Sequence, residues 1–314
     1  MPQYHDLLDK IISNVQKVII GKKEVIELAL VSFLCSGHVL IEDVPGVGKT
    51  SLVAALAKSI NCSFKRIQFT PDVLPSDITG FSMYNQKTGE FEYRPGAVMS
   101  QVILADEINR TSPKTQASLL EVMEEGQVTV DGVTHPVPTP FMVLATQNPI
   151  EYTGTYPLPE AQIDRFLMKI TIGYPSAADE SRILSEYQYK NPLDELQPVI
   201  NSEDIITMQN QVKEVYVDKT INDYIVEIIH ETRHHPDITL GASPRGSLAL
   251  FRAAQGWAYY QKRDYVLPDD VKKMAFPVLT HRLLLKQEAK LKRISPEDII
   301  QSIINKINVP MVNI

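Results

Sequence analysis

The chain has 314 residues, with 31 Lys and Arg against 38 Asp and Glu, a length that allows two domains each able to bury a core. Its hydrophobic and charged fractions, 44% and 22%, belong to folded globular domains and exclude wholesale disorder. A net charge of −7 gives no global attraction to nucleic acid or to an anionic membrane. No apolar run reaches the length of a membrane-spanning helix, and the N-terminal MPQYHDLLDK carries acids where a signal peptide needs a basic flank. Cys35 and Cys62 lie in apolar surroundings and are too few for a disulfide framework or a zinc site. They are expected to be core residues of a reduced, cytoplasmic protein.

Up to Pro175, β-rich runs alternate with helical spacing. Strands are expected at His38–Glu42, Phe64–Phe69, Gln101–Ala105, Phe141–Thr146 and Leu167–Ile172, and helices at Glu24–Ser36, Thr50–Ser59 and Pro113–Glu125. Strands joined by crossover helices make a five-stranded parallel sheet covered on both faces. Two stretches exceed this minimal pattern. Residues 80–94 alternate aromatic and polar side chains around Lys87-Thr88-Gly89, and 127–140 place Asp131-Gly132 between Val-rich arms. Both read as β-hairpins inserted into crossover connections.

After a short hinge at Gly173–Ser176 the pattern turns helical. Ser176 caps a helix running through Tyr187, and further helices are expected at Ser202–Lys213, Asp218–His234, Ser243–Lys262, Pro268–Leu285 and Ser295–Lys306. The expected division is a nucleotide-binding α/β domain over 1–175 and an all-α lid over 176–314. The basic stretch His281–Arg293 is expected to be a solvated helical face.

The chemistry begins after the first strand, where Asp43-Val44-Pro45-Gly46-Val47-Gly48-Lys49-Thr50 leads into a helix. Glycine geometry frees the backbone N–H groups that follow Pro45, from Gly46 to Ser51, to wrap phosphates at a helix N-terminus. Lys49 then pairs with phosphate oxygens, and Thr50 places its hydroxyl on Mg²⁺. Asp43 departs from the pattern, which has glycine there.

The run Val102–Ala105, read as the strand beside the phosphate loop, ends in Asp106-Glu107. Asp106 is the expected Mg²⁺ holder and Glu107 the base that polarises an attacking water. Asn148 follows the next buried strand, where its amide orients that water. Arg165 precedes the last strand and suits charge stabilisation at the γ-phosphate from a second subunit, a salt bridge with Asp164 or Glu160 being the structural alternative. Ser243 as N-cap and Pro244 as the first helical residue fix Arg245 in the first turn of a helix. A cation opposes the dipole there, which favours a nearby phosphate as the two halves of the chain close, a solvated surface arginine being the structural alternative.

Together these residues resemble the MoxR family of AAA+ ATPases over nearly the whole chain. The motifs that carry the resemblance are DVPGVGKT at 43–50, LADEINR at 104–110, ATQNP at 145–149, LPEAQIDRF at 158–166, GASPR at 241–245 and LPDDVKK at 267–273. It implies Walker A roles for Lys49 and Thr50, Walker B roles for Asp106 and Glu107, sensor 1 at Asn148, sensor 2 at Arg245 and an arginine finger at Arg165. Ile20 and Gly21 match the segment lining the adenine pocket, and Arg110 belongs to the pattern without a defined role. The resemblance further implies a ring with ATP at subunit boundaries, and the hairpins at 80–94 and 127–140 match the helix-2 and pre-sensor-1 insertions of the clade that includes magnesium chelatase subunits. A hexamer, a partner carrying a von Willebrand factor A domain, and chaperone-like maturation of client proteins are implied with it.

Two other functions compete. A DNA- or RNA-dependent ring motor needs basic hairpins, yet the hairpin at 127–140 holds no Lys or Arg, and in the one at 80–94 Lys87 and Arg94 are balanced by Glu90 and Glu92. A non-hydrolysing switch has no use for Glu107, Asn148 and Arg165. The expectation is therefore Mg²⁺-dependent ATP hydrolysis directed at a protein client, without nucleic acid and without membrane insertion.

Overall fold

A computed structural model of the chain describes residues 2–148 and 154–311. Helices α1 (Pro2–Val15) and α2 (Lys23–Leu34) precede β1 (Val39–Glu42), α3 (Lys49–Ser59) and β2 (Phe64–Gln68). A short α4 (Pro75–Thr79) leads into the hairpin of β3 (Gly80–Asn85) and β4 (Glu90–Pro95), then β5 (Val102–Asp106) and α5 (Pro113–Glu125). The second hairpin, β6 (Gln127–Val130) with β7 (Val133–Pro136), is followed by β8 (Met142–Gln147), α6 (Glu160–Ile163) and β9 (Met168–Ile170).

Strands β2, β5, β8, β1 and β9 form one parallel sheet in that order. The order corrects one expectation. Strand β5 does not neighbour β1, because β8 lies between them, so Gln147 and Asn148 rather than Asp106 border the phosphate loop. Alternation along the strands splits the apolar side chains between two faces. Leu40, Ile103 and Val143 join Phe69, Ile78 and Leu119 on the side of α4 and α5. Val39, Ile41, Val102 and Leu144 face α1, α2 and α3.

Both hairpins form where the turn residues call for them. Asp131 and Gly132 both adopt positive φ, 50° and 80°, the backbone a two-residue turn between right-twisted strands requires. Helix α5, which lies between the hairpins, starts at Ser112, whose hydroxyl accepts from Thr115 N, with Pro113 as its first residue. It stops at Gly126, φ 64°.

The second half contains α7 (Ala177–Glu186), α8 (Pro192–Glu195), α9 (Ser202–Lys213), α10 (Lys219–His234), β10 (Ile238–Leu240), α11 (Pro244–Tyr260) and α12 (Pro268–Leu279). It closes with β11 (Leu284–Leu285), α13 (Gln287–Leu291) and α14 (Pro296–Lys306). Helices α9 and α11 pack on α2, and the apolar core runs without a break from α1–α3 into α9–α12 and α14. At Gly256 of α11 a Cβ would stand 2.3 Å from Cys35 Sγ, so the absent side chain sets how closely α11 approaches α2. Cys35 and Cys62 are both free thiols packed against this core, and burial pushes each up to about 12.

The expected helix at Pro268–Leu285 is shorter than its periodicity suggests. Pro277 withholds a backbone N–H near its end, and α12 stops at Leu279. A 3-10 turn at 280–282 follows, then β11, which pairs antiparallel with β10 to give the helical half a small β-ribbon. Within 281–293 the expected solvated helical face is therefore confined to 286–293, which holds α13, while 281–285 is not part of it. Arg282 in particular is buried, bonded through Nε to Asp164 Oδ1 at 2.7 Å and through Nη2 to Phe166 O at 2.6 Å. None of the described helices is long and apolar enough to cross a membrane.

Candidate active site

A cavity of about 400 Å³ opens at the carboxyl ends of β1, β5 and β8, lined by Gly46, Gly48, Lys49, Thr50, Asp106, Glu107 and Asn148, with Pro45 and Ser51 at its margin. Gly46 and Gly48 hold φ of 85° and 90°, angles that only glycine adopts without strain. Gly48 caps α3 with no side chain, so the first N–H groups of that helix are left for an anion. Lys49 sits in the same first turn, where its charge opposes the dipole, and its Nζ is held by Asp43 O at 2.8 Å.

Asp43 replaces glycine to good effect. Its Oδ1 accepts from Val44 N at 2.8 Å, and its Oδ2 accepts from Ile172 N at 2.7 Å and Gly173 N at 2.6 Å. One buried carboxylate thus ties the start of the loop to the chain leaving β9.

Across the cavity, Asp106 Oδ1 accepts from Thr146 Oγ1 at 2.6 Å, and Oδ2 accepts from Arg66 Nη2, also at 2.6 Å. Glu107 takes a left-handed backbone, φ 57° and ψ 49°, unfavourable for a residue with a Cβ. The Glu107 N–H donates to Thr146 Oγ1 at 2.9 Å, which helps fix that conformation and turns the carboxylate into the cavity. There its Oε2 accepts from Gln68 Nε2 at 2.7 Å and from Arg110 Nη1 at 3.2 Å. Asn148 is nearly buried at the cavity wall. Pro149, the last residue of its motif, lies outside the described residues.

A smaller, mainly apolar cavity of about 160 Å³ adjoins Gly46 and Gly48. Ile19, Ile20, Ile183 and Tyr187 line it, the last two from α7 and the residue that follows it. Gly21 does not line it. Its φ of 75° and missing Cβ let the chain pass under Asp179, whose Oδ2 would lie 2.2 Å from a Cβ.

Arg165 and Arg245 are not at this site. Leu167 N donates to His38 O and Met168 pairs with Val39, so Arg165 stands at the starting end of the parallel strands. Four residues of β1 separate that end from the phosphate loop, about 13 Å at 3.3 Å per residue. Arg245 sits beside it, because Ser243 Oγ donates to Asp164 Oδ2 at 2.7 Å and anchors the N-terminus of α11 there. Contact of Arg245 with a phosphate on this chain's own loop, expected from closure of the two halves, is therefore not what the fold provides. The ion partner of both arginines is Glu124, and neither Asp164 nor Glu160 pairs with Arg165.

Sequence reasoning missed Arg66, Gln68, Ile183, Tyr187 and Glu124. Arg66 and Gln68 alternate with buried Ile67 on an edge strand, so their side chains share one face; that spacing was the available signal.

A phosphate loop after β1, acids at the end of β5, a polar residue after the intervening β8 and a helical second half define a P-loop ATPase of the AAA+ type. Residues 38–168 match the family model for the "ATPase family associated with various cellular activities (AAA)", and 230–303 match the "AAA lid domain". Chaperone MoxR1 of Mycobacterium tuberculosis is 42% identical over 315 residues, 98% of this chain and 83% of that protein. Protein YeaC of Bacillus subtilis is 56% identical over 307 residues, 98% of this chain and 96% of its own length. The crystal structure of a Cytophaga hutchinsonii protein superposes with a TM-score of 0.92 at 41% identity, covering 98% of this chain and 96% of that one. The chain belongs to the MoxR family of AAA+ ATPases.

Proposed function

We propose that the protein hydrolyses ATP with Mg²⁺ and uses the cycle to remodel or mature partner proteins. The observation that carries this reading is the convergence of Lys49, Thr50, Asp106, Glu107 and Asn148 on one cavity from three strand ends. The uncapped N-terminus of α3 and Lys49 bind the phosphates, and the apolar cavity beside Ile20 and Tyr187 takes the flat base.

A hydroxyl from Thr50 and a carboxylate from Asp106 form an oxygen donor set that suits Mg²⁺, which would supply charge neutralisation on the β- and γ-phosphates. Arg66 pairs with Asp106 Oδ2 and would have to yield that oxygen to the ion. Glu107 accepts the proton of the attacking water while Asn148 orients it. The hydrogen bond from Gln68 competes for the lone pairs of Glu107, so its loosening brings the base into play.

Arg165 and Arg245 lie on the wrong end of the sheet for this chain's own phosphates. They serve the nucleotide of a neighbouring copy, which makes the working unit a closed ring. Six subunits and a partner with a von Willebrand factor A domain follow from the family resemblance, and the two free cysteines favour a cytoplasmic setting. A protein client is favoured over nucleic acid by the hairpin surface, where Phe81, Met83, Tyr84 and Phe91 are exposed and the ionic groups balance.

Glu107→Gln tests the hydrolytic reading. The variant is expected to bind ATP as tightly as wild type and to lose turnover by about 10²-fold or more. Equal turnover of the two proteins, measured by phosphate release, would remove Glu107 from the chemistry.

A further inference from the structure

The arginine cluster at the starting end of the sheet contains a feature that phosphate binding by itself does not explain. A cavity of about 370 Å³ lies there, walled by Arg165, Arg245, Arg252 and Arg282 and by only two carboxylates, Glu124 and Asp164. Asp164 is committed, with Oδ1 on Arg282 Nε at 2.7 Å and Oδ2 on Ser243 Oγ at 2.7 Å. Glu124 takes two of the other three guanidiniums: its Oε2 is 3.1 Å from Arg165 Nη2, and its Oε1 accepts from Arg245 Nη2. Arg165 Nε is buried and has no hydrogen-bond partner among the described residues, so the fork is only partly satisfied.

Both ends of the Glu124–Arg245 pair break a local rule. Glu124 occupies the last turn of α5, which holds no basic residue, where a carboxylate meets the negative end of the dipole. Arg245 occupies the first turn of α11, where a cation meets the positive end. Each placement is unfavourable alone, and the two charges offset each other. The last turn of α5 is also held rigidly, because the His38 imidazole links Met123 O at 3.0 Å to Val143 N at 3.0 Å.

We propose that Glu124 is a counter-ion latch: it gathers the guanidiniums of Arg165 and Arg245 into one anion-binding pair and is displaced when the terminal phosphate of a nucleotide on a second copy enters between them. This rests on the reading above that the two arginines serve a neighbouring subunit. A terminal phosphate carries up to two negative charges on oxygens that match guanidinium forks, whereas Glu124 offers one charge on a half-exposed side chain. The latch is a positioning residue. It preserves the geometry of the pair in the free subunit and sets a threshold for assembly, since docking must break two ion pairs.

The test is sedimentation velocity with Mg²⁺ and the non-hydrolysable analogue AMP-PNP, together with the dependence of ATPase rate on protein concentration. Glu124→Gln should lower the protein concentration for half-maximal assembly and activity about three- to tenfold. Glu124→Ala should shift in the same direction, which covers the case in which one variant is poorly folded. Glu121→Gln removes an exposed acid from the same helix without touching the arginines and should shift neither curve. An unchanged or raised threshold in the Glu124 variants overturns the latch, as does an equal shift in Glu121→Gln. Arg165→Ala and Arg245→Ala separate the two levels of the argument. If they assemble and turn over like wild type, the neighbouring-subunit reading fails; if they lose assembly while Glu124→Gln gains nothing, only the latch fails.

Discussion

Asp43 and His38 stand at opposite ends of β1, and each is a polar side chain buried for a positional purpose. Asp43 joins the phosphate loop to the end of β9 through three backbone N–H groups. His38 joins α5 to β8 through both ring nitrogens, which requires a neutral imidazole with Nε2–H donating to Met123 O and Nδ1 accepting from Val143 N. Burial pushes the His38 pKa down to about 4, against an ordinary value near 6.5. Between those values the unfolded chain binds one more proton than the native one, so stability rises with pH across that window. The contribution is fully present above about pH 6.5 and is lost as pH falls toward 4, about 3 kcal/mol in all. Chemical denaturation between pH 4.5 and 7 should therefore show a steeper pH dependence in wild type than in His38→Gln, by close to one proton. Equal slopes would mean that His38 titrates alike in both states.

Among the elements, α11 joins the two halves of the chain. It packs against α2 and α12, and Gly256 is where it meets Val31 and Cys35 at the end of α2. Gly256→Ala introduces a Cβ into the space of Cys35 Sγ and should destabilise the protein by about 1–3 kcal/mol. Adding Cys35→Ala should recover part of that loss, read as the midpoint of urea unfolding. No recovery would mean that the strain falls on the α2 backbone instead.

The elements also show what a sequence makes legible. Strands β1, β5 and β8 are buried on both faces and read as unbroken apolar runs, and the Asp131-Gly132 and Gly89 turns announce the hairpins. The phosphate loop, Asp106, Glu107 and Asn148 are legible because each follows such a run directly. Strand order is not local, so the place of β8 between β1 and β5 stayed hidden. Glu124 and Arg245 were equally hidden as a pair, because 121 residues separate them. The α12 boundary was misread because the pattern continues past Pro277, while the burial of Arg282 depends on carbonyls and a carboxylate more than 100 residues away.

At the scale of the whole molecule, the phosphate loop and the two arginines occupy opposite ends of one parallel sheet. If the arginines belong to the ATPase site as proposed, a single copy holds both halves of it and cannot bring them together. On the proposed reading, a head-to-tail contact would join the loop of one copy to the arginines of the next, and repetition of that contact would close a ring. Mixing two inactive variants tests this most directly. Arg165→Ala keeps the nucleotide loop and lacks the arginine, while Lys49→Ala loses nucleotide binding and keeps the arginine. Each alone should show little phosphate release. An equimolar mixture should regain about one quarter of wild-type activity, the share of contacts in which an intact loop faces an intact arginine in a randomly mixed ring. A mixture as inactive as its components, or full activity of Arg165→Ala alone, would contradict a site shared between copies.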